Sequence, residues 1–170
     1  MMLSLLHAGL GLLGFWSGAR AATGMWTEST LDVWTPLFLL SAAWTSATGL
    51  LFYPTVSAAS CAIAALSLLA LAAAVLALYI HRLAGGWRSI YIVGVALALY
   101  LHFLAGVLHV ADKLPALEVL FAIRFEPPFI GANVAIAAPF LFFAFVALKQ
   151  FHPVVKQRRR RGAREATRRT

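Results

Sequence analysis

Residues 89–111 read SIYIVGVALALYLHFLAGVLHVA, a run without a single Asp, Glu, Lys or Arg. Roughly 20 helical residues cross the hydrocarbon core of a bilayer, so this run predicts a spanning helix. Two histidines interrupt it, His102 near the middle and His109 near the far end. Their spacing is about two helical turns, about 10 Å along the axis, which places both rings on one face. A polar ring at bilayer depth is costly unless satisfied, so that face should turn toward protein and away from lipid.

The totals agree with a membrane setting. Of 170 residues, 62% are hydrophobic and only 12% charged, and the mean hydropathy is +0.84. Soluble domains carry about 25% charged residues, so an integral membrane protein is expected. The net charge of +8 resembles a nucleic-acid signature until it is located: eight of the fourteen Lys and Arg residues lie beyond His152. The chain thus divides into a helix-bundle domain over residues 1–153 and a basic tail over 154–170. The tail has almost no apolar surface and is expected to be disordered. It also lacks the aromatic or folded context of RNA recognition, so no nucleic-acid partner is expected. Arg158, Arg159, Arg160 and Arg161 read instead as a topology anchor that attracts anionic lipid head groups, at about 1 kcal/mol per basic residue near the surface. The lone Cys61 excludes an intrachain disulfide and any multi-cysteine metal site, and is expected to be packed.

Upstream of the central run, residues 3–19 are apolar but short, with glycines at positions 9, 11, 14 and 18. Ala19-Arg20-Ala21 faintly resembles a signal-peptidase site, but the basic n-region is missing. Gly14 and Gly18 form a GxxxG pair of the kind that lets helices approach closely, which favours a retained first helix. Residues 36–53 predict a second span. Pro36 suits its first turn, and Ser41, Thr45, Ser46 and Thr48 are expected to bond back to carbonyls or across to a facing helix. Residues 57–80, rich in alanine and leucine, predict a third span. A short basic turn follows, with His81 expected to be solvated.

Downstream, residues 114–123 are apolar but too short to cross, and predict an interfacial or re-entrant segment. Residues 129–148 predict a last span that tolerates Pro139 with a kink. The fold expected is therefore all-α: a polytopic membrane bundle of five transmembrane helices, or four if the first segment does not span. Arg20, the Arg82/Arg88 turn and the tail then fall on one side, which puts the C-terminus in the cytoplasm and the N-terminus outside.

Several motifs support a resemblance. Thr45-Ser46-Ala47-Thr48-Gly49, Trp87-Arg88, Lys113-Leu114-Pro115-Ala116-Leu117 and Glu126-Pro127-Pro128-Phe129 resemble, in order and spacing, a family of uncharacterised small bacterial inner-membrane proteins. The likeness runs over residues 35–151. It implies a multi-pass protein of the bacterial inner membrane and supplies no activity. His102 and His109 stand where that pattern has amide side chains, which argues against obligate ligand roles.

Candidate chemistry collects toward the outer end: His7, His102 and His109, with Lys113 and Glu126 in the adjoining loop. Such groups can bind a transition metal through His7, His109 and Glu126, bind b-type haem or relay protons. His102 and His109 are too far apart along one helix to ligate one iron together, which leaves His7 paired with one of them. The bland alternative is that the rings hydrogen-bond hydroxyls of the second span. Glu126, ahead of two prolines, suits a position before a helix N-terminus, salt-bridged to Lys113 or Arg124. No catalytic constellation is visible. The leading expectation is a non-enzymatic membrane subunit binding a small apolar ligand or a partner membrane protein, with no resident cofactor. A haem- or metal-dependent redox or proton-handling protein and a small oligomeric transporter are the alternatives.

Overall fold

Helices form where the apolar runs lie. The computed structural model describes residues 2–26, 33–51, 58–111 and 127–151, and every regular element among them is helical. Helix α1 covers Met2–Trp26, α2 Trp34–Leu51, α3 Ala58–Val75, α4 Trp87–Ala111 and α5 Pro127–Gln150. The end of α3 widens into a π-helical turn over Leu76–Ile80. The loop bearing Lys113 and Glu126, the apolar stretch 114–123 and the tail with Arg158 to Arg161 lie outside the described residues.

Among the described residues, three helical stretches are long and apolar enough to cross a membrane: Ser60–Ile80, Trp87–Val110 and Ile130–Gln150. Three of the five expected spans meet this criterion, and among the described residues α1 and α2 do not reach it. The reason is composition: α2 is only 18 residues long and carries Thr35, Ser41, Thr45, Ser46 and Thr48. Helix α1 contains His7, Arg20 and a series of glycines. Each hydroxyl, glycine or charge dilutes the apolar character that drives insertion.

Helix α4 is the hub, touching α1, α3 and α5, while α2 packs on α1 and α3. Small residues make the α3–α4 contact close. A Cβ on Gly94 would stand 2.9 Å from the Ala70 carbonyl oxygen and 3.3 Å from the Ala74 Cβ. Only glycine and alanine let two helix backbones come so near, which is how membrane helices associate without a hydrophobic driving force between them. Phe38, Ala74, Tyr91, Ile92, Val95 and Ala98 are fully buried in this interior. Leu12, Leu40, Leu51, Leu69 and Leu141 point outward and are largely exposed, as lipid-facing side chains would be.

The α3–α4 turn is tight. Arg82 and Leu83 adopt left-handed backbone conformations (φ 48° and 56°), as does Gly85 at 57°. Left-handed geometry costs a non-glycine residue roughly 1–2 kcal/mol, and here it closes the helix end: the Leu83 N–H donates to the Ala77 carbonyl at 2.9 Å. Leu83 is itself buried, which offsets the strain. His81 is not simply solvated as expected. Its ring stacks on Trp87 at 3.6 Å with planes 3° apart. A planar aromatic neighbour gives the imidazole an apolar surface to cover, which water does not.

Candidate functional site

A seam of glycines, hydroxyls and histidines runs between α1, α2 and α4. His7, Gly11, Gly14 and Gly18 recur on α1 at helical spacing and so share a face. Facing them are Thr48, Thr45, Ser41 and Phe38 of the antiparallel α2, with His102 and Leu99 of α4. The hydroxyls bond back along their own helix, as their density in the sequence suggested. Ser41 donates to the Leu37 carbonyl at 2.7 Å, and Thr45 to the Ser41 carbonyl at 2.8 Å.

His102 is buried, and its Nε2 donates to the Gly11 carbonyl oxygen at 2.8 Å. A carbonyl only accepts, so the proton sits on Nε2. The bland reading of the sequence expected a second-span hydroxyl here, and that is corrected. The partner is the α1 backbone, because α1 carries no side chain where the ring comes in. A Cβ on Gly14 would lie 2.9 Å from His102 Nε2 and 3.3 Å from Ser41 Oγ.

The second-span hydroxyl goes to His7 instead. His7 Nδ1 lies 2.8 Å from Thr48 Oγ1. The Thr48 hydroxyl also sits 2.9 Å from the Trp44 carbonyl and 3.0 Å from that of Thr45. Its own proton is taken by one of those carbonyls, so His7 Nδ1 is the donor to the Thr48 oxygen. The ring rests over Gly49, whose missing Cβ would lie 3.8 Å from His7 Cε1.

The seam is polar toward one end and apolar toward the other. His109 is exposed at the end of α4, and His7 is within electrostatic reach of both His109 and His102. Toward the opposite end, a Cβ on Gly18 would stand 2.6 Å from Leu99 Cδ1 and 2.7 Å from Phe38 Cδ2.

Of the residues singled out in the sequence, the structure therefore brings His7, His102 and His109 toward one end of one seam. Lys113, Glu126 and Arg158 to Arg161 lie outside the described residues. Among the described residues, no three His, Cys, Asp or Glu side chains gather as a metal-binding group. Glu126, the third member of the ligand set with His7 and His109, is among those not described. Iron ligation by His102 through Nε2 would need the Gly11 bond to break. Cys61 is half-buried and free.

Two contacts escaped the sequence reading. Tyr100 of α4 donates its hydroxyl to Asn133 Oδ1 of α5. Arg88 donates Nη1 to the Phe151 carbonyl at 2.7 Å and Nη2 to the Leu148 carbonyl at 3.2 Å. Arg88 did leave a signal. An arginine in the first turn of a helix opposes that helix's dipole, so it should seek the carbonyl end of another helix.

No family model matches the chain, and none of the curated proteins or solved structures compared with it matches either.

Proposed function

We propose that the chain is an integral protein of the bacterial inner membrane that crosses the bilayer five times, tail in the cytoplasm. In this reading it is a non-enzymatic binding subunit whose ligand, a small apolar molecule or a partner membrane protein, approaches from within the bilayer. One contrast supports it. The polar groups of the seam, His7, Ser41, Thr45, Thr48 and His102, are already engaged in hydrogen bonds within the bundle. The apolar window of α5, by contrast, is only 11% buried by the rest of the chain, against 56% for α4. Recognition then belongs to the lipid-facing surface, and the seam belongs to assembly.

The test uses a photo-crosslinking residue at Val134 or Phe142, both exposed on α5. A discrete adduct in membranes, or an apolar molecule recovered at fixed stoichiometry by solvent extraction of purified protein, is the expected result. Crosslinks to bulk lipid alone would sink the proposal.

A second reading, proton or redox handling, draws on the electrostatic proximity of His7 to His102 and His109. A Soret band or stoichiometric metal in purified protein would favour it. Loss of that signal in His7→Leu would tie it to the seam.

A further inference from the structure

The described basic side chains gather at one end of the bundle. Arg88 opens α4 and reaches the last carbonyls of α5. Arg82 lies in the turn just before α4, and Lys149 sits in the last turn of α5 over the ring of Phe145 at 4.2 Å. Arg20 lies over Trp34, at the start of α2, at 5.5 Å. Trp26 at the end of α1 contacts Phe143 of α5 and brings that helix end to the same side. His7 and His109 mark the opposite end. All six acidic residues of the chain fall outside the described residues.

These cations are not equivalent. Arg88 is half-buried and committed to two carbonyls, so it has little left for a ligand. Arg82 and Lys149 are exposed, Arg82 in the turn that leads into α4 and Lys149 next to Leu148, whose carbonyl Arg88 holds at the α4–α5 corner. The contact of Lys149 with Phe145 engages the ring face electrostatically and leaves ammonium N–H donors for an anion. The corner is also held in shape. Phe151 is 2% exposed with its ring against Tyr91, 6.2 Å between centroids, and Leu83 is buried in its left-handed turn.

We propose that this corner binds the phosphate of an anionic phospholipid, with Arg82 and Lys149 contacting the head group and Arg88 positioning them. Charge complementarity selects an anion. The neighbouring apolar surface selects a lipid over a soluble one: Tyr79 and Ile80, just ahead of the turn that holds Arg82, and Phe145, under Lys149, are exposed by 57%, 65% and 56%. Trp87, half-buried in its stack on His81, sits where aromatic side chains mark the head-group level. The site is distinct from the tail arginines, which need no folded corner to attract anionic lipid. It rests on α3, α4 and α5 crossing the membrane, and not on which side the corner faces.

The experiment is native mass spectrometry of the full chain in detergent, with phosphatidylglycerol or phosphatidylcholine of matched acyl chains added. Wild-type protein should retain phosphatidylglycerol preferentially. Arg82→Gln with Lys149→Gln should cut that retention about tenfold without moving the melting temperature. Replacing Arg158 to Arg161 by glutamine should leave most of it. Arg88→Gln should lower the melting temperature as well as the retention. Equal retention of the two lipids, unchanged retention in the double variant, or full displacement by inorganic phosphate would each overturn the proposal. Alkaline extraction of membranes tests the spanning reading separately. A chain that washes off has lost that reading, whatever it binds in detergent.

Discussion

At Gly14 and Gly18 the bundle has no room for one more carbon. An alanine at position 18 would place its Cβ 2.6 Å from Leu99 and 2.7 Å from Phe38, and Phe38 is fully buried. At position 14 the obstruction is the tip of the His102 ring at 2.9 Å, which can swing away only by giving up the Gly11 carbonyl. At Gly9 nothing lies within 4 Å. Overpacking costs typically about 1–3 kcal/mol, whereas alanine at an open helical site gains up to about 1 kcal/mol over glycine. Melting curves in detergent should therefore rank Gly18→Ala lowest, Gly14→Ala next, and Gly9→Ala at or above wild type. If Gly14→Ala melts like Gly9→Ala, the seam is not packed as described. His102→Leu should cost less than Gly14→Ala, about 0.5–1.5 kcal/mol. The Gly11 carbonyl lies within a helix and keeps its place in the helical ladder when the imidazole is lost. A collapse of folded protein in His102→Leu would contradict this. The sequence announced these positions, through the glycine spacing and the isolated histidines, but not their pairing. A backbone carbonyl leaves no mark in a sequence, so the partner of His102 became visible only once α1 was in place.

The five helices were legible as apolar runs, and their ends were legible where chemistry marks them. Pro36 falls in the first turn of α2, and the Gly85-Gly86 pair lies just ahead of α4. Less legible was how an end is satisfied from outside its own helix. Helix α5 is lightly held overall, yet its last turns bury Phe143, Ala147 and Phe151 and hand two carbonyls to Arg88. That contact satisfies acceptors that a helix end otherwise leaves to water, and it sets a cation against the negative end of the α5 dipole. Arg88→Ala should destabilise the protein by about 1.5–3 kcal/mol, the range for hydrogen bonds to a charged group. Arg88→Lys should recover only part of this, because one ammonium cannot reproduce the two-pronged geometry. A cysteine at Phe151 would report the local effect. It should react slowly with a thiol reagent when Arg88 is present and quickly in Arg88→Ala. Equal rates would mean that the capping bonds do not hold α5 in place.

For the molecule as a whole, the matter to decide is how α1 and α2 relate to the bilayer. By length and composition only three stretches among the described residues qualify as spans, yet α1 and α2 are not peripheral to them. Helix α1 lies against α2, α4 and α5, and α2 lies against α3. His7 meets Thr48 and His102 meets Gly11 toward one end, while Arg20 meets Trp34 toward the other. In the proposed five-span reading, a helix joined to spanning neighbours at both levels runs alongside them, with its polar groups facing inward where they are satisfied. A hydropathy average counts His7, Ser41, Thr45 and Thr48 as obstacles to insertion. In the folded bundle their hydrogen bonds remove much of that cost. The proposed five spans would place the N-terminus outside, the α1–α2 connector and the α3–α4 turn inside, and the α2–α3 connector outside. Single cysteines at Ser4, Ser29, Thr55 and Gly85, in a Cys61→Ala background, should test this with a membrane-impermeant thiol reagent on intact cells. Ser4 and Thr55 should label at once, while Ser29 and Gly85 should label only after the cells are opened. A three-span chain with α1 and α2 on the outer surface would label at Ser29 in intact cells. The packing of α1 against α4 would then need another explanation.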